Sequence, residues 1–181
     1  YLDGLHTVMG NNDLDPAYRA LMLGLPSQSD LANELHIAGE TPDPDAIWSA
    51  VDAMKQAQAE KLSPLLQPLY ETNQVSETYA PDAEQSGKRS LANSILYLIT
   101  RSDGGALAQT QYDQASNMTQ QLSALANLIR AGKGDAALAA FENQWKDDRL
   151  VMDKWFGLQV MEAAPDDAAD TATALTKHAL F

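Results

Sequence analysis

Helix-start signals recur along the whole chain, and they constrain its fold more than any other feature. Asp15-Pro16 pairs an N-cap side chain with a proline at the first helical position, and Pro26 closes that short helix. Ser27, with Asp30 three residues on, has the form of a capping box opening a helix through His36, which Gly39 stops. Asp43-Pro44 starts a longer helix with an apolar stripe of Ile47, Val51, Met54 and the alanines flanking Gln58, and with Trp48 beside it. Ser63-Pro64 reads as a fresh cap and first position, so this helix is expected to break or kink there, and Pro68 removes a further backbone donor one turn on. The polar residues 72–80 read as a loop.

The second half continues the pattern. A helix is expected over 82–100, burying Leu91, Ile95, Leu98 and Ile99. Asp103-Gly104-Gly105 turns the chain into a helix over 106–116, and Thr119 caps the next, with Leu122, Leu125, Ala126 and Ile129 on one face. Gly132-Lys133-Gly134 is a tight link, after which Asp135 caps a helix carrying Leu138, Phe141 and Trp145. A helix over 149–161 follows, with Val151–Trp155 and Met152–Phe156 as i,i+4 pairs. Pro165-Asp166 starts the last helix, which is expected to run to the end of the chain.

No segment alternates in the manner of a strand, and short links between helices make antiparallel neighbours. The expected fold class is therefore all-α, with antiparallel helix pairs stacked as an irregular, truncated HEAT/armadillo-like superhelix. No motif returns at a fixed period, which argues against a regular ankyrin or tetratricopeptide array. A single helical domain over 1–181 is expected, with shorter irregular helices and a Pro-kinked helix in 1–80 and stacked pairs in 81–181. Tyr1 opens directly into helical sequence, and no Gly or Pro stop follows the last helix. Both ends therefore read as cut, which makes the domain incomplete at each.

Composition then excludes classes of function. The 181 residues carry 12 Lys+Arg against 25 Asp+Glu, a net charge of -13 at pH 7. So acidic a chain repels nucleic-acid phosphates and anionic lipid, so neither partner is expected. There is no cysteine, hence no disulfide, thiolate nucleophile or Cys-based metal site. The apolar run 95–99 is far shorter than the ~20 residues that span a bilayer. No secretory leader is visible, and the expected location is cytoplasmic.

The candidates for chemistry each have a plainer reading. Glu34 and His36 are two residues apart and point to different sides of a helix, unlike a His-Glu-x-x-His zinc motif. His6 has no nearby partner in sequence, and Lys177-His178 complements a helix C-terminus. Asp166, Asp167 and Asp170 suit the first turn of a helix and lack the spacing of a calcium loop, while Asp147-Asp148 reads as solvated charge. Gly132-Lys133-Gly134-Asp135 lacks the preceding strand and following Ser or Thr of a phosphate loop. Phe141, Trp145, Trp155 and Phe156 read as the core of a helical hairpin. No catalytic, cofactor-binding or metal-ligating residue is assigned.

Several stretches, in order, carry a family resemblance: Leu23-Gly24-Leu25-Pro26-Ser27 with Leu31 and Glu34; Asp43-Pro44-Asp45-Ala46-Ile47; and Lys88-Arg89-Ser90-Leu91-Ala92-Asn93. Ala115-Ser116-Asn117-Met118-Thr119 and Leu150-Val151-Met152-Asp153-Lys154-Trp155-Phe156 follow, and these two are the most specific. Together they resemble the C-terminal helical domain of the bacterial aminopeptidase N family, over essentially the whole chain. The resemblance implies a parent that is a cytoplasmic zinc aminopeptidase removing N-terminal residues from small peptides. It also implies that this segment packs on the parent's catalytic domain and encloses the chamber over the active site. The family's His-Glu-x-x-His, its further Glu ligand and its Gly-Ala-Met-Glu-Asn segment do not occur here. Without them there is nothing to hold zinc, so the resemblance implies a non-catalytic piece with no cofactor of its own. It further implies unbroken helix across Pro64 and Pro68, and continuation past Lys177-His178 into an arginine-bearing stretch. The rival readings are a stand-alone helical-repeat module binding a peptide or protein, and a hydrolase whose carboxylates converge only in space.

Overall fold

A computed structural model describes residues 1–181. It contains ten α-helices and no strand. The chain divides into two compact units, Tyr1–Arg101 and Ser102–Phe181.

The first unit holds α1 (Leu2–Gly10), α2 (Pro16–Met22), α3 (Gln28–Ile37), α4 (Pro44–Thr72) and all but the end of α5 (Ala83–Asp103). The cap signals act as read. Asp15 accepts from the amides of Ala17 and Tyr18, Asp43 from those of Asp45 and Ala46, and Ser27 and Asp30 close a reciprocal capping box. α3 ends in a Schellman motif, in which Glu40 N–H reaches Leu35 C=O at 2.9 Å and Gly39 adopts φ 83°. α1 and α3 pack on α4, and α1 also packs on α2. The core of this unit collects Leu5, Met9, Leu62, Leu91, Ile95, Leu96 and Leu98, each at most 2% exposed.

α4 departs from the sequence reading. It runs unbroken through Pro64 and Pro68 instead of restarting at Ser63-Pro64. The two prolines lie i,i+4 on the exposed face, and the carbonyls they leave unpaired, those of Glu60 and Pro64, belong to exposed residues that water reaches. Each interior proline costs about 3 kcal/mol. The opposite face buries Leu62, Leu66, Leu69 and Tyr70, and each such burial returns about 1.5–3 kcal/mol, enough to hold the helix on course. The apolar stripe also differs from expectation: Ile47 is buried, but Met54 is 38% exposed. Ala59, expected in the stripe, is buried, and Gln58 is buried beside it.

The second unit holds α6 (Ala106–Gln114), α7 (Met118–Arg130), α8 (Asp135–Trp145), α9 (Arg149–Glu162) and α10 (Ala168–Leu175). α6 packs on α7, α7 on α8, and α7, α8 and α10 on α9. Because α7 is touched by three helices, it buries five consecutive residues, Ala124 to Leu128, rather than the single expected stripe. Its cap is Asn117, not Thr119. The Asn117 carboxamide oxygen accepts from Gln120 N–H at 3.0 Å while its NH2 donates to Gln120 Oε1 at 2.7 Å. Asp135 is the first residue of α8 rather than its cap. Gly134 holds the cap position, where a Cβ would lie 2.9 Å from Ile129 Cγ1.

α10 is shorter at both ends than the sequence implies. Pro165 to Asp167 form a turn closed by Asp167 N–H on Ala164 C=O at 2.9 Å, and the helix begins at Ala168. It stops at Leu175 although no Gly or Pro follows, because His178 is drawn onto the rings of Trp155 and Phe156. Tertiary packing there outweighs local propensity.

Candidate functional site

Chemistry-bearing side chains meet in several places, among them three that draw on more than one helix. The first is a cleft of about 590 Å³ in the second unit, where the α6–α7 link faces the end of α8. Tyr112, Asp113, Asn117, Met118, Gln121 and Trp145 contribute to its walls. Its polar groups are largely tied to one another. Trp145 Nε1–H points at Gln121 Oε1 at 3.4 Å, Gln121 Nε2 donates to Gln144 Oε1 at 3.0 Å, and the Tyr112 hydroxyl donates to Ala137 C=O at 2.9 Å. Burial pushes the Tyr112 phenol up, so it stays a neutral donor. No acid stands beside a base here, which leaves the cleft a shaped polar recess rather than a reaction centre.

The second place is the aromatic group on α8, α9 and the turn after α10. Phe141 and Trp145, i,i+4 on α8, lie 6.3 Å apart, and the adjacent Trp155 and Phe156 lie 4.9 Å apart. Trp155 Nε1–H donates to Leu138 C=O at 3.1 Å. No spacing in the sequence places His178 in this group. Its ring centroid lies 5.3 Å from Trp155 and 5.4 Å from Phe156, its Nε2 is 3.3 Å from Glu142 Oε1, and its Nδ1 accepts from Leu180 N–H at 3.2 Å. With Nδ1 accepting, the ring proton faces Glu142. No hydroxyl or amine nucleophile accompanies the pair, so His178 serves to hold the turn.

The third place is a polar cluster between α4 and α5 in the first unit. Arg101 donates to Asp52 Oδ1 at 2.7 Å, to Gln56 Oε1 at 3.0 Å and to the Tyr97 hydroxyl at 3.1 Å. Burial alone would lower its pKa, but Asp52 and Tyr97 outweigh that and raise it. Lys55 donates to Leu23 C=O at 2.7 Å, and burial first, then the neighbouring Arg101, lowers its pKa. Nearby, Gln58 is fully buried and donates to the Tyr1 hydroxyl at 2.6 Å. These bonds fasten α4 to α5 and to the α2–α3 link. Sequence periodicity could not reveal them, because each partner is distant in the chain.

The residues weighed on sequence stay apart. His36 is exposed on α3, Asp147 and Asp148 flank the start of α9, where Asp148 caps Val151 N–H at 3.2 Å, and Asp166, Asp167 and Asp170 are exposed around the start of α10. Gly132-Lys133-Gly134 is a helix-ending turn, with Lys133 N–H on Leu128 C=O at 2.9 Å. No three His, Cys, Asp or Glu side chains are placed to hold a metal ion. No helix is long and apolar enough to cross a membrane.

A family model described as a domain of unknown function (DUF3458_C) with ARM repeats matches residues 1–181. The chain belongs to this family. Among curated proteins, aminopeptidase N of Caulobacter vibrioides is 31% identical over 186 residues, covering 100% of this chain and 21% of the relative. Aminopeptidase N of Escherichia coli is 32% identical over 184 residues, covering 99% of this chain and 20% of the relative. The Haemophilus influenzae protein of the same name is 36% identical over 170 residues, covering 92% and 19%. The chain thus spans about a fifth of the length of the curated relatives it matches. In fold it is similar to the crystal structure of Legionella pneumophila aminopeptidase A in complex with aspartic acid, with a TM-score of 0.82, covering 98% of this chain and 22% of that one. At 22% identity that likeness establishes the fold alone. The all-α, ARM-repeat class and the likeness to aminopeptidase N read from the sequence both hold over the full chain.

Proposed function

We propose that this chain is the non-catalytic helical domain of an aminopeptidase N-like zinc peptidase. In this reading it is one domain, incomplete at both ends. It packs on the catalytic domain of the same parent chain and limits entry to the active-site chamber, so that small peptides are trimmed and folded proteins are spared. The parent works in the cytoplasm, and its zinc is held elsewhere in the longer chain. The observation that carries the reading is the coverage: relatives named aminopeptidase N align with 99–100% of this chain while it fills only 20–21% of theirs. The lack of any three-ligand group supports the same reading, because hydrolysis by zinc needs three protein ligands and an open fourth position.

The test compares the 181-residue chain with the natural-length protein. The short chain should bind no stoichiometric zinc and turn over no alanine amide, whereas the natural-length protein should do both. Tight zinc with turnover in the short chain would refute the reading. For the access role, the natural-length protein should cleave a tripeptide and leave the N-terminus of a folded protein intact. Equal cleavage of both would contradict it.

A further inference from the structure

α9 is surrounded on three sides and bare on the fourth. α7, α8 and α10 pack against it and take up Met152, Trp155 and Phe156. On the opposite face Leu150 is 76% exposed and Met161 79% exposed, with Lys154 and Gly157 between them. These four residues are spaced 4, 3 and 4 apart, within a narrow arc at 100° per residue, which is the a/d seam of one helix packing on another. Single exposed apolar side chains need no explanation, but two large ones on one seam form a shaped surface. A Cβ at Gly157 would meet nothing within 4 Å, so an incoming side chain can descend to the backbone there. Lys154, midway along the seam, has no carboxylate partner.

We propose that this face of α9 seats a helix supplied by the remainder of a longer chain, one that sets a carboxylate against Lys154 and a bulky apolar side chain over Gly157. The inference rests on the reading above that these residues are part of a longer protein. Relatives matching this chain run to about five times its length, so the covering element is available within one polypeptide. ARM-type helices bury their faces on successive neighbours, and those of α9 leave this seam uncovered. A second copy fits poorly. A two-fold pairing along the seam brings both Lys154 ammoniums to its centre, and each chain adds a net charge of -13 to the repulsion.

The absence of cysteine from this segment makes the face directly measurable. Met161→Cys and Leu150→Cys are made separately in the natural-length protein, and maleimide labelling of the α9 peptide is followed by mass spectrometry in the native and urea-unfolded states. Coverage predicts labelling at least about tenfold slower in the native state at both sites. Lys154→Glu should release that protection, and Lys154→Arg should keep it. Native labelling as fast as unfolded would overturn the proposal, as would protection that appears only on raising protein concentration, which would mean a second copy. Alanine-amide turnover in the same samples separates the two ideas. An active protein with a fast-labelling α9 sinks this inference alone, and an inactive one with a protected α9 sinks only the peptidase reading.

Discussion

Pro64→Ala is expected to stabilise this protein, and the size of the effect follows from where the proline sits. Pro64 is exposed, inside a helix that continues on both sides of it, and the carbonyl it leaves unpaired is that of Glu60. Alanine restores the missing N–H bond and removes the ring clash, a gain of about 3 kcal/mol. Against this, proline restricts the unfolded chain, and losing that restriction costs about 0.4–1 kcal/mol. The net gain is about 2 kcal/mol, which for a protein of this size corresponds to a rise in Tm of roughly 4–8 °C. Thermal melts followed by circular dichroism at 222 nm measure it directly. Ser63→Ala supplies the sign that discriminates. In a continuous helix it is neutral or gains about 0.5 kcal/mol from propensity. If Ser63 instead capped a second helix, removing its hydroxyl would cost about 1 kcal/mol. A Tm unchanged in Pro64→Ala together with a fall in Ser63→Ala would refute the continuous-helix argument.

Further predictions follow from single contacts. Asn117→Ala should cost about 1 kcal/mol in urea denaturation and Thr119→Ala much less, because the carboxamide of Asn117 holds Gln120 N–H; the reverse order would restore Thr119 as the cap. Phe141→Ala empties a site at 0% exposure and should cost about 3–5 kcal/mol, whereas a loss below about 1 kcal/mol would mean that the α8–α9 core is not packed as described. Glu162 pairs with Arg130 at 2.5 Å, yet burial dominates and raises its pKa above the ordinary carboxylate value. The folded state therefore keeps a proton that the unfolded state has lost, and stability at this site falls as pH rises from about the unfolded value through the folded one. Melting curves of the protein and of Glu162→Gln between pH 3.5 and 7 should show the unsubstituted protein losing ground as pH rises. A gain over that range would mean that Arg130 outweighs burial.

What the sequence disclosed was local. Caps at Asp15, Ser27 and Asp43 depend on side chains two or three residues from the amides they serve, so spacing alone located α2, α3 and α4. The buried set Leu91, Ile95, Leu98 and Ile99 on α5 likewise followed from period. The misread courses of α4 and α10 share one cause, which is packing that no window contains. α4 passes two prolines because Leu62, Leu66, Leu69 and Tyr70 are buried beneath them, and α10 stops early because His178 finds Trp155, Phe156 and Glu142. The Arg101–Asp52–Tyr97 cluster and the cleft beside Trp145 join residues too far apart in the chain for any motif to connect. The bare seam of α9 was written in the sequence at Leu150, Lys154, Gly157 and Met161. Only the positions of α7, α8 and α10 show that nothing in this chain covers it.

The central question for this chain is whether its residues work alone or within a peptidase. The most direct measurement is the mass of the natural protein, read by immunoblot of source-cell lysate with an antibody raised against this chain. A single band several times larger than 19.6 kDa, co-eluting with zinc-dependent hydrolysis of alanine amide, is the predicted result. A single band at 19.6 kDa would contradict it and leave a free-standing helical-repeat protein.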